Sequence, residues 1–249
     1  SKATSIYGFI VNNSNIKGNN YVGGIEGNIY GYGSDGREIY NSYITGTGIY
    51  IGGISGNSNG SGRRYMKVIN CEIKGIGANS NYVGGFDGYG SGQLGNSYIK
   101  DSTIESIGSY VGGFNGGSGN VNGNSVYYNY AENIEITGYS KVGGMYGNLV
   151  YSMNIYDNYI NADISALSSD VGGIIGYFPN TGVTSTNNGT NISYNYISAN
   201  ISGSNNIGGL FGKIDVELYN PANYFKQNYF EIYITTEDES TSSPGIGSR

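Results

Sequence analysis

The chain has 249 residues, of which 45 are glycine, 27 tyrosine and 3 proline, with no histidine or tryptophan. Its net charge is −6 at pH 7 with only 12% charged residues; the densest basic cluster is Arg63, Arg64 and Lys67, so no nucleic-acid partner is expected. Recurrent Ile, Val and Tyr argue against disorder, no run of about 18 apolar residues suggests direct membrane insertion, and the single Cys71 excludes an intrachain disulfide.

Ser1-Lys2-Ala3-Thr4 leads straight into repeat-like sequence without a secretory signal, so we expect a piece cut from something longer. Ile6-Tyr7-Gly8-Phe9-Ile10-Val11 looks like mid-coil sequence, either truncated or packed against a preceding coil. Asn13-Ser14-Asn15-Ile16 follows, and then Val22-Gly23-Gly24-Ile25-Glu26-Gly27. These two elements then alternate along the chain. The hexapeptide returns at Ile51–Gly56, Val83–Gly88, Val111–Gly116, Val142–Gly147, Val171–Gly176 and Ile207–Gly212. The tetrapeptide returns at Asn41–Ile44, Asn70–Ile73, Asn96–Ile99, Tyr128–Ala131, Asp157–Ile160, Tyr194–Ile197 and Gln227–Phe230. Between them lie segments rich in Gly, Ser and Asn, where insertions concentrate, as at Gly56–Arg64 and Asn180–Thr190.

Short alternating units bounded by Gly and Asn read as strands and turns, and no segment has a sustained helical period. One unit of roughly 31 residues cannot bury its own apolar edge, so neighbours must stack. The expected fold is all-β: a parallel β-solenoid, or β-helix, of about eight coils, roughly 35–40 Å long at about 4.8 Å per coil. The expected domain covers 1–239, closed by an alternating strand from Tyr229 and the acidic Glu237-Asp238-Glu239. Residues 240–249 are expected to form a Ser/Thr-rich tail or linker.

Stacking predicts ladders. A small or polar slot should run through Ser14, Ser42, Cys71, Ser97, Asn129, Asn158, Asn195 and Asn228, with amide hydrogen bonds between coils. An apolar ladder should run through Ile16, Ile44, Ile73, Ile99, Ala131, Ile160, Ile197 and Phe230. A rival column, Ile104, Ile136, Ile164 and Ile201, is expected to point inward from a successive strand. Apolar residues flank each Gly-Gly at i and i+3. Both can point inward only across a bend, for which glycine at φ > 0 is the expected device.

The hexapeptide, preceded by Asn-Cys or Asn-Ser-Tyr, resembles the GLUG repeat of bacterial surface proteins, which also accompanies IgA-cleaving metallopeptidases. The match covers about residues 5–235 and is closest at Asn70-Cys71 and Ile207–Gly212; the usual Leu is mostly Ile, Phe or Met here. The resemblance implies a right-handed β-helical stalk or binding region, extracellular or at the cell surface, with no catalytic residues to carry over. A metallopeptidase zinc motif needs histidine, which this chain lacks.

We therefore expect no enzyme, no cofactor and no metal. A Ser or Cys nucleophile has no histidine base. Asp35-Gly36 and Asp87-Gly88 offer one acidic group each, too few for calcium. The acids Asp101, Glu105, Asp157, Asp163 and Asp170 do not recur at one offset and read as solvated surface. The expected function is a structural or adhesive rod presenting tyrosine columns and variable loops. One column is Tyr21, Tyr50, Tyr82 and Tyr110, continued by Lys141, Asp170 and Asn206; the other holds Tyr43, Tyr98, Tyr130, Tyr159, Tyr196 and Tyr229. Exposed tyrosines could stack on a glycan or anchor a host or bacterial surface protein; alternatively they stack on one another and brace the sheet. Other readings are a polysaccharide-cleaving β-helix enzyme, an ancillary domain of a secreted peptidase, or ice binding. The open N-terminal edge would allow end-to-end self-association.

Overall fold

A computed structural model describes residues 7–31, 34–119, 124–150, 153–179, 190–215 and 224–236. The expected N-terminal start at Ile6, the insertion at Asn180, the acidic cap and the 240–249 tail lie outside these in whole or in part. Among the described residues there is no helix; the strands form an 11-stranded, a 7-stranded and a 12-stranded sheet. Pairing is parallel, and each step between coils advances the chain by 28 to 37 residues, as from Ser14 to Ser42 and from Asn158 to Asn195. The chain is a parallel β-solenoid. The first sheet stacks Ile10–Asn12, Glu38–Tyr40, Lys67–Ile69, Tyr98–Ser106, Tyr130–Gly138, Tyr159–Ala166, Tyr196–Gly203 and Tyr229–Thr236. The second holds the seven Gly-Gly strands, which enclose about six complete turns.

The centre is columnar, and on the first sheet it is apolar. Ile39, Val68, Ile99, Ala131, Ile160 and Ile197 form one buried file of the first sheet, in register throughout. Ile44, Ile73, Ile104, Ile136, Ile164 and Ile201 form a second, also buried. Both apolar columns point inward, as expected, but their membership differs from the single ladder drawn on the sequence. That ladder runs up the second column to Ile73 and then crosses to the first at Ile99. The slot splits likewise. Ser14, Ser42 and Cys71 are followed by Ser102, whose hydroxyl accepts the Cys71 amide at 3.1 Å. Ser97 instead accepts from Met66, at 3.1 Å, and begins the asparagine file.

The cause lies in two corners that share one grammar. Asn13, Asn41, Asn70, Asp101 and Asn133 turn the second corner at φ 48–53. Tyr65, Asn96, Tyr128, Asp157, Tyr194 and Gln227 turn the first at φ 50–59, after glycine at Gly8 and Gly36. Each is a left-handed residue followed by a small or inward-facing side chain, so the tetrapeptide reads alike at either corner.

From Ser97 onward the predicted amide ladder forms. The side-chain NH2 groups of Asn129, Asn158 and Asn195 each donate to the Oδ1 of the next asparagine at 2.9 Å. Each Oδ1 also accepts a backbone N–H from the preceding coil at 3.0–3.1 Å. A buried corner amide thereby gains a partner it would otherwise lack, at about 1–3 kcal/mol for each group left unpaired.

The Gly-Gly pairs bend the chain for a different reason than expected. Neither glycine takes positive φ. The residue before the hexapeptide does: Tyr21, Tyr50, Tyr82, Tyr110, Lys141, Asp170 and Asn206 lie at φ 54–66. The glycines are required because backbone packs on backbone. A Cβ on Gly85 would fall far inside van der Waals contact of the Gly113 carbonyl oxygen and the Ile99 side chain. One on Gly88 would meet the backbone of Tyr50 and Ile51. Both flanking apolar residues do point inward, as Val83 with Phe86 and Val111 with Phe114.

The third sheet is the part least expected. Gly56–Arg64, read as a variable insertion, belongs to a ten-residue strand, Ser55–Arg64, that pairs with Asp87–Gly95 across one register shift between Ser91 and Gln93. The fifth hexapeptide position, opening this sheet, stacks as Glu26, Ser55, Asp87, Asn115, Tyr146, Ile175 and Phe211. From Ser55 on all are buried, so polar side chains enter the interior of the N-terminal coils. Two arginines meet them there. Arg37 pairs with Glu26 at 2.5 Å, and Arg63 pairs with Asp87; both arginines and Asp87 are essentially inaccessible. Arg63 therefore leaves the expected surface cluster with Arg64 and Lys67, and Asp87 is an interior ion-pair partner rather than a loop acid.

Candidate functional site

The tyrosines before Gly-Gly stand in file because the left-handed corner repeats in every coil. Tyr21 and Tyr50 have ring centroids 5.3 Å apart, Tyr50 and Tyr82 5.3 Å, and Tyr82 and Tyr110 4.6 Å at an interplanar angle of 7°. Ring faces are thus largely spent on neighbouring rings, and the column braces its sheet. Tyr89 lies against it, edge-on to Tyr82 at 5.6 Å and tilted on Tyr50 at 5.3 Å. Burial, then the adjacent tyrosines, pushes the Tyr82 phenol up to about 12, so it stays neutral at physiological pH.

The second tyrosine column is corrected in one member. Tyr98 registers with Tyr130, Tyr159, Tyr196 and Tyr229. Tyr43 stands in the neighbouring column, in register with Glu72, and is 55% exposed without those partners. Tyr159, Tyr196 and Tyr229 stack at 5.3 and 5.0 Å. Tyr98 donates its hydroxyl to Glu132 at 2.6 Å, and Tyr196 donates to Glu231 at 2.7 Å.

Beside the first column three files of side chains form a groove of about 360 Å³. Tyr21 and Tyr50 come from the left-handed corners. Asn57 and Tyr89 are register partners on the third sheet, and Tyr30, Asn59 and Ser91 are register partners two residues further on. The volume is within the range of small-ligand sites. Asn57 donates its NH2 to Asn28 at 2.9 Å, while Asn59 accepts from the Ser91 hydroxyl at 2.8 Å. Among the described residues that leaves the Asn57 carbonyl oxygen as an acceptor and the Asn59 NH2 as a donor, on one strand and on one side of it. Tyr30 is 68% exposed and carries no stacked ring among the described residues. Sequence reading missed Tyr30, Asn57, Asn59, Tyr89 and Ser91 because they belong to the unforeseen third sheet.

Further along the rod the same face turns charged. Lys141 Nζ lies 4.7 Å from the Tyr110 ring centroid and 5.0 Å from that of Tyr177, and donates to the Tyr110 hydroxyl at 3.2 Å. Tyr177 donates to Asp215 at 2.8 Å; burial first, and that bond second, push its phenol up to about 12. On the first sheet a smaller groove of about 270 Å³ brings together Asp163, Asn200, Glu231 and Tyr233, with Asn200 donating to Asp163 at 2.7 Å. The other acids weighed on the sequence are dispersed: Glu105 pairs with Lys74 at 3.0 Å, and Asp170, which is buried rather than solvated, accepts from Asn206 at 2.7 Å. Among the described residues no group of three metal-ligating side chains converges.

No protein-family model matches the chain, and no curated protein matches it in sequence. The resemblance to the GLUG repeat therefore rests on the sequence pattern alone, the hexapeptide and the Asn-Cys or Asn-Ser-Tyr element before it. Among solved structures, the chain is similar to one described as a "putative immunoglobulin A1 protease" from Bacteroides ovatus, at 16% identity and a TM-score of 0.47. The match covers 93% of this chain and 68% of that one. A likeness of that size carries no activity across.

Proposed function

We propose that the chain is a non-catalytic module of a secreted or cell-surface bacterial protein, a stiff rod that presents side chains to a ligand. One observation carries this reading: outward positions recur in register from coil to coil, so the first sheet and the groove beside the tyrosine column are periodic surfaces. A stack of in-register parallel strands closed around a packed centre resists bending. Among the described residues the groove that holds two acids, Asp163 and Glu231, commits them to Asn200 and Tyr196, and the acids do not recur at one offset from coil to coil, which disfavours polysaccharide cleavage.

The test is an incubation of the intact chain with soluble neutral and uronic-acid polysaccharides, reading new reducing ends. No release above the buffer control is expected over a day. Release that depends on Asp163 or Glu231, lost in Asp163→Asn or Glu231→Gln, would replace the rod reading with that of an enzyme.

A further inference from the structure

We propose that the groove between Tyr21, Tyr50 and the Tyr30–Asn59–Ser91 file binds a neutral oligosaccharide lying along the rod axis; this rests on the ligand-presenting reading above. Among the described residues the lining carries no charged side chain, so nothing there repays the desolvation of a charged ligand. It does carry phenol, amide and hydroxyl groups, which suit a chain of sugar hydroxyls. The Asn57 carbonyl oxygen and the Asn59 NH2, left over by their own hydrogen bonds to Asn28 and Ser91, offer one acceptor and one donor side by side. Both amides are held by those bonds before any ligand arrives, so little side-chain entropy is lost on binding.

The apolar contact falls to Tyr30. Tyr50 has Tyr21 on one side and Tyr82 on the other, and Tyr21 has Tyr50 on one, whereas Tyr30 has no ring on it among the described residues and stands 68% exposed beside the same groove. A pyranose ring could lay its C–H face on Tyr30 while its hydroxyls reach Asn57, Asn59 and the column phenols. Because the three files are register columns, the groove runs from coil to coil, which favours an oligosaccharide over a single sugar.

The experiment is titration of the intact chain, followed by nuclear magnetic resonance and tyrosine fluorescence, with cellotetraose, maltotetraose and tetra-N-acetylchitotetraose, and with a tetragalacturonate control. At least one neutral tetrasaccharide is expected to bind, and Tyr30→Ala to weaken it by about tenfold or more, equivalent to about 1.4 kcal/mol. Asn59→Asp should weaken it as well, while Tyr43→Ala, an exposed tyrosine outside the groove, should leave it unchanged. Both Tyr30 and Tyr43 are exposed, so neither variant endangers the fold. No binding of any neutral probe, binding of tetragalacturonate alone, or binding insensitive to Tyr30→Ala would each overturn the proposal while leaving the rod intact. Cleavage of a bound probe would instead sink the non-catalytic reading and keep the groove.

Discussion

Gly85→Ala is expected to be among the most damaging single-methyl additions in the molecule, lowering stability by more than about 3 kcal/mol. The added Cβ would strike the Gly113 carbonyl oxygen on one side and the tip of Ile99 on the other. A flexible side chain could swing away, but the carbonyl belongs to the next coil and is fixed by its own ladder. Gly85 itself donates to Gly112 at 3.3 Å, and Gly113 donates to Gly143 at 3.1 Å, so moving one coil pulls on the next. The strain cannot be absorbed locally in a close-packed interior. Gly62→Ala provides the contrast. Nothing lies within 4 Å of its would-be Cβ and its φ is not positive. That change should be neutral or stabilising by up to about 1 kcal/mol, through the unfolded chain. Thermal melts of the two variants by circular dichroism decide the matter; equal melting temperatures would mean that the hexapeptide glycines serve flexibility rather than backbone contact.

Arg63→Leu is expected to cost about 3–5 kcal/mol, because it leaves the Asp87 carboxylate buried without its counter-charge. Burial depresses the Arg63 guanidinium to about 10, still well above neutrality, so the arginine keeps its charge at physiological pH. The register also dictates the compensating change. The coil next to Arg63 places Leu94 at that position, and the coil next to Asp87 places Ser55. Arg63→Leu combined with Asp87→Ser should therefore regain most of the loss, ending within about 1 kcal/mol of the parent. Urea denaturation of the two single variants and the double variant reads the coupling. Additive single losses would show that the two side chains do not face each other inside the rod. A buried ion pair between adjacent coils of an otherwise repetitive chain also marks those coils as neighbours, which equivalent hydrophobic repeats cannot do for themselves.

These two sites mark the boundary of what the sequence discloses. The hexapeptide is legible because stacked backbones tolerate no Cβ, so Gly23, Gly52 and Gly84 recur whatever surrounds them. The amide ladder is legible because a buried corner N–H needs a partner in every coil, and asparagine supplies it from Asn129 onward. The register between coils is less so, since Asn41-Ser42-Tyr43-Ile44 and Asn96-Ser97-Tyr98-Ile99 obey one local rule at two different corners. Local chemistry fixes the turn, and only the count of residues between turns separates the two. The third sheet is hidden because Ser55–Arg64 has no alternation and little β propensity; pairing with Asp87–Gly95 makes it a strand. Arg63 and Asp87 are hidden because charge reads as surface by default. A faint signal existed in the polar run Glu26, Ser55, Asp87 and Asn115 at one fixed offset from Gly-Gly. The residue preceding each hexapeptide carried another, ending as Asp170 and Asn206, types that tolerate the left-handed corner.

The native thiol offers the most direct test of in-register stacking. Cys71 lies in file with Ser102, one coil on, where Glu72 registers with Thr103; Ser97 belongs to the other column. In-register neighbours about 4.8 Å apart are within disulfide reach. Under mild oxidation Ser102→Cys should form an intrachain disulfide with Cys71, seen by mass spectrometry of a digest, whereas Ser97→Cys should leave two free thiols. A Cys71 bridge to position 97 rather than 102 would contradict the stacking of coils on which the fold, the groove and the proposed function all depend.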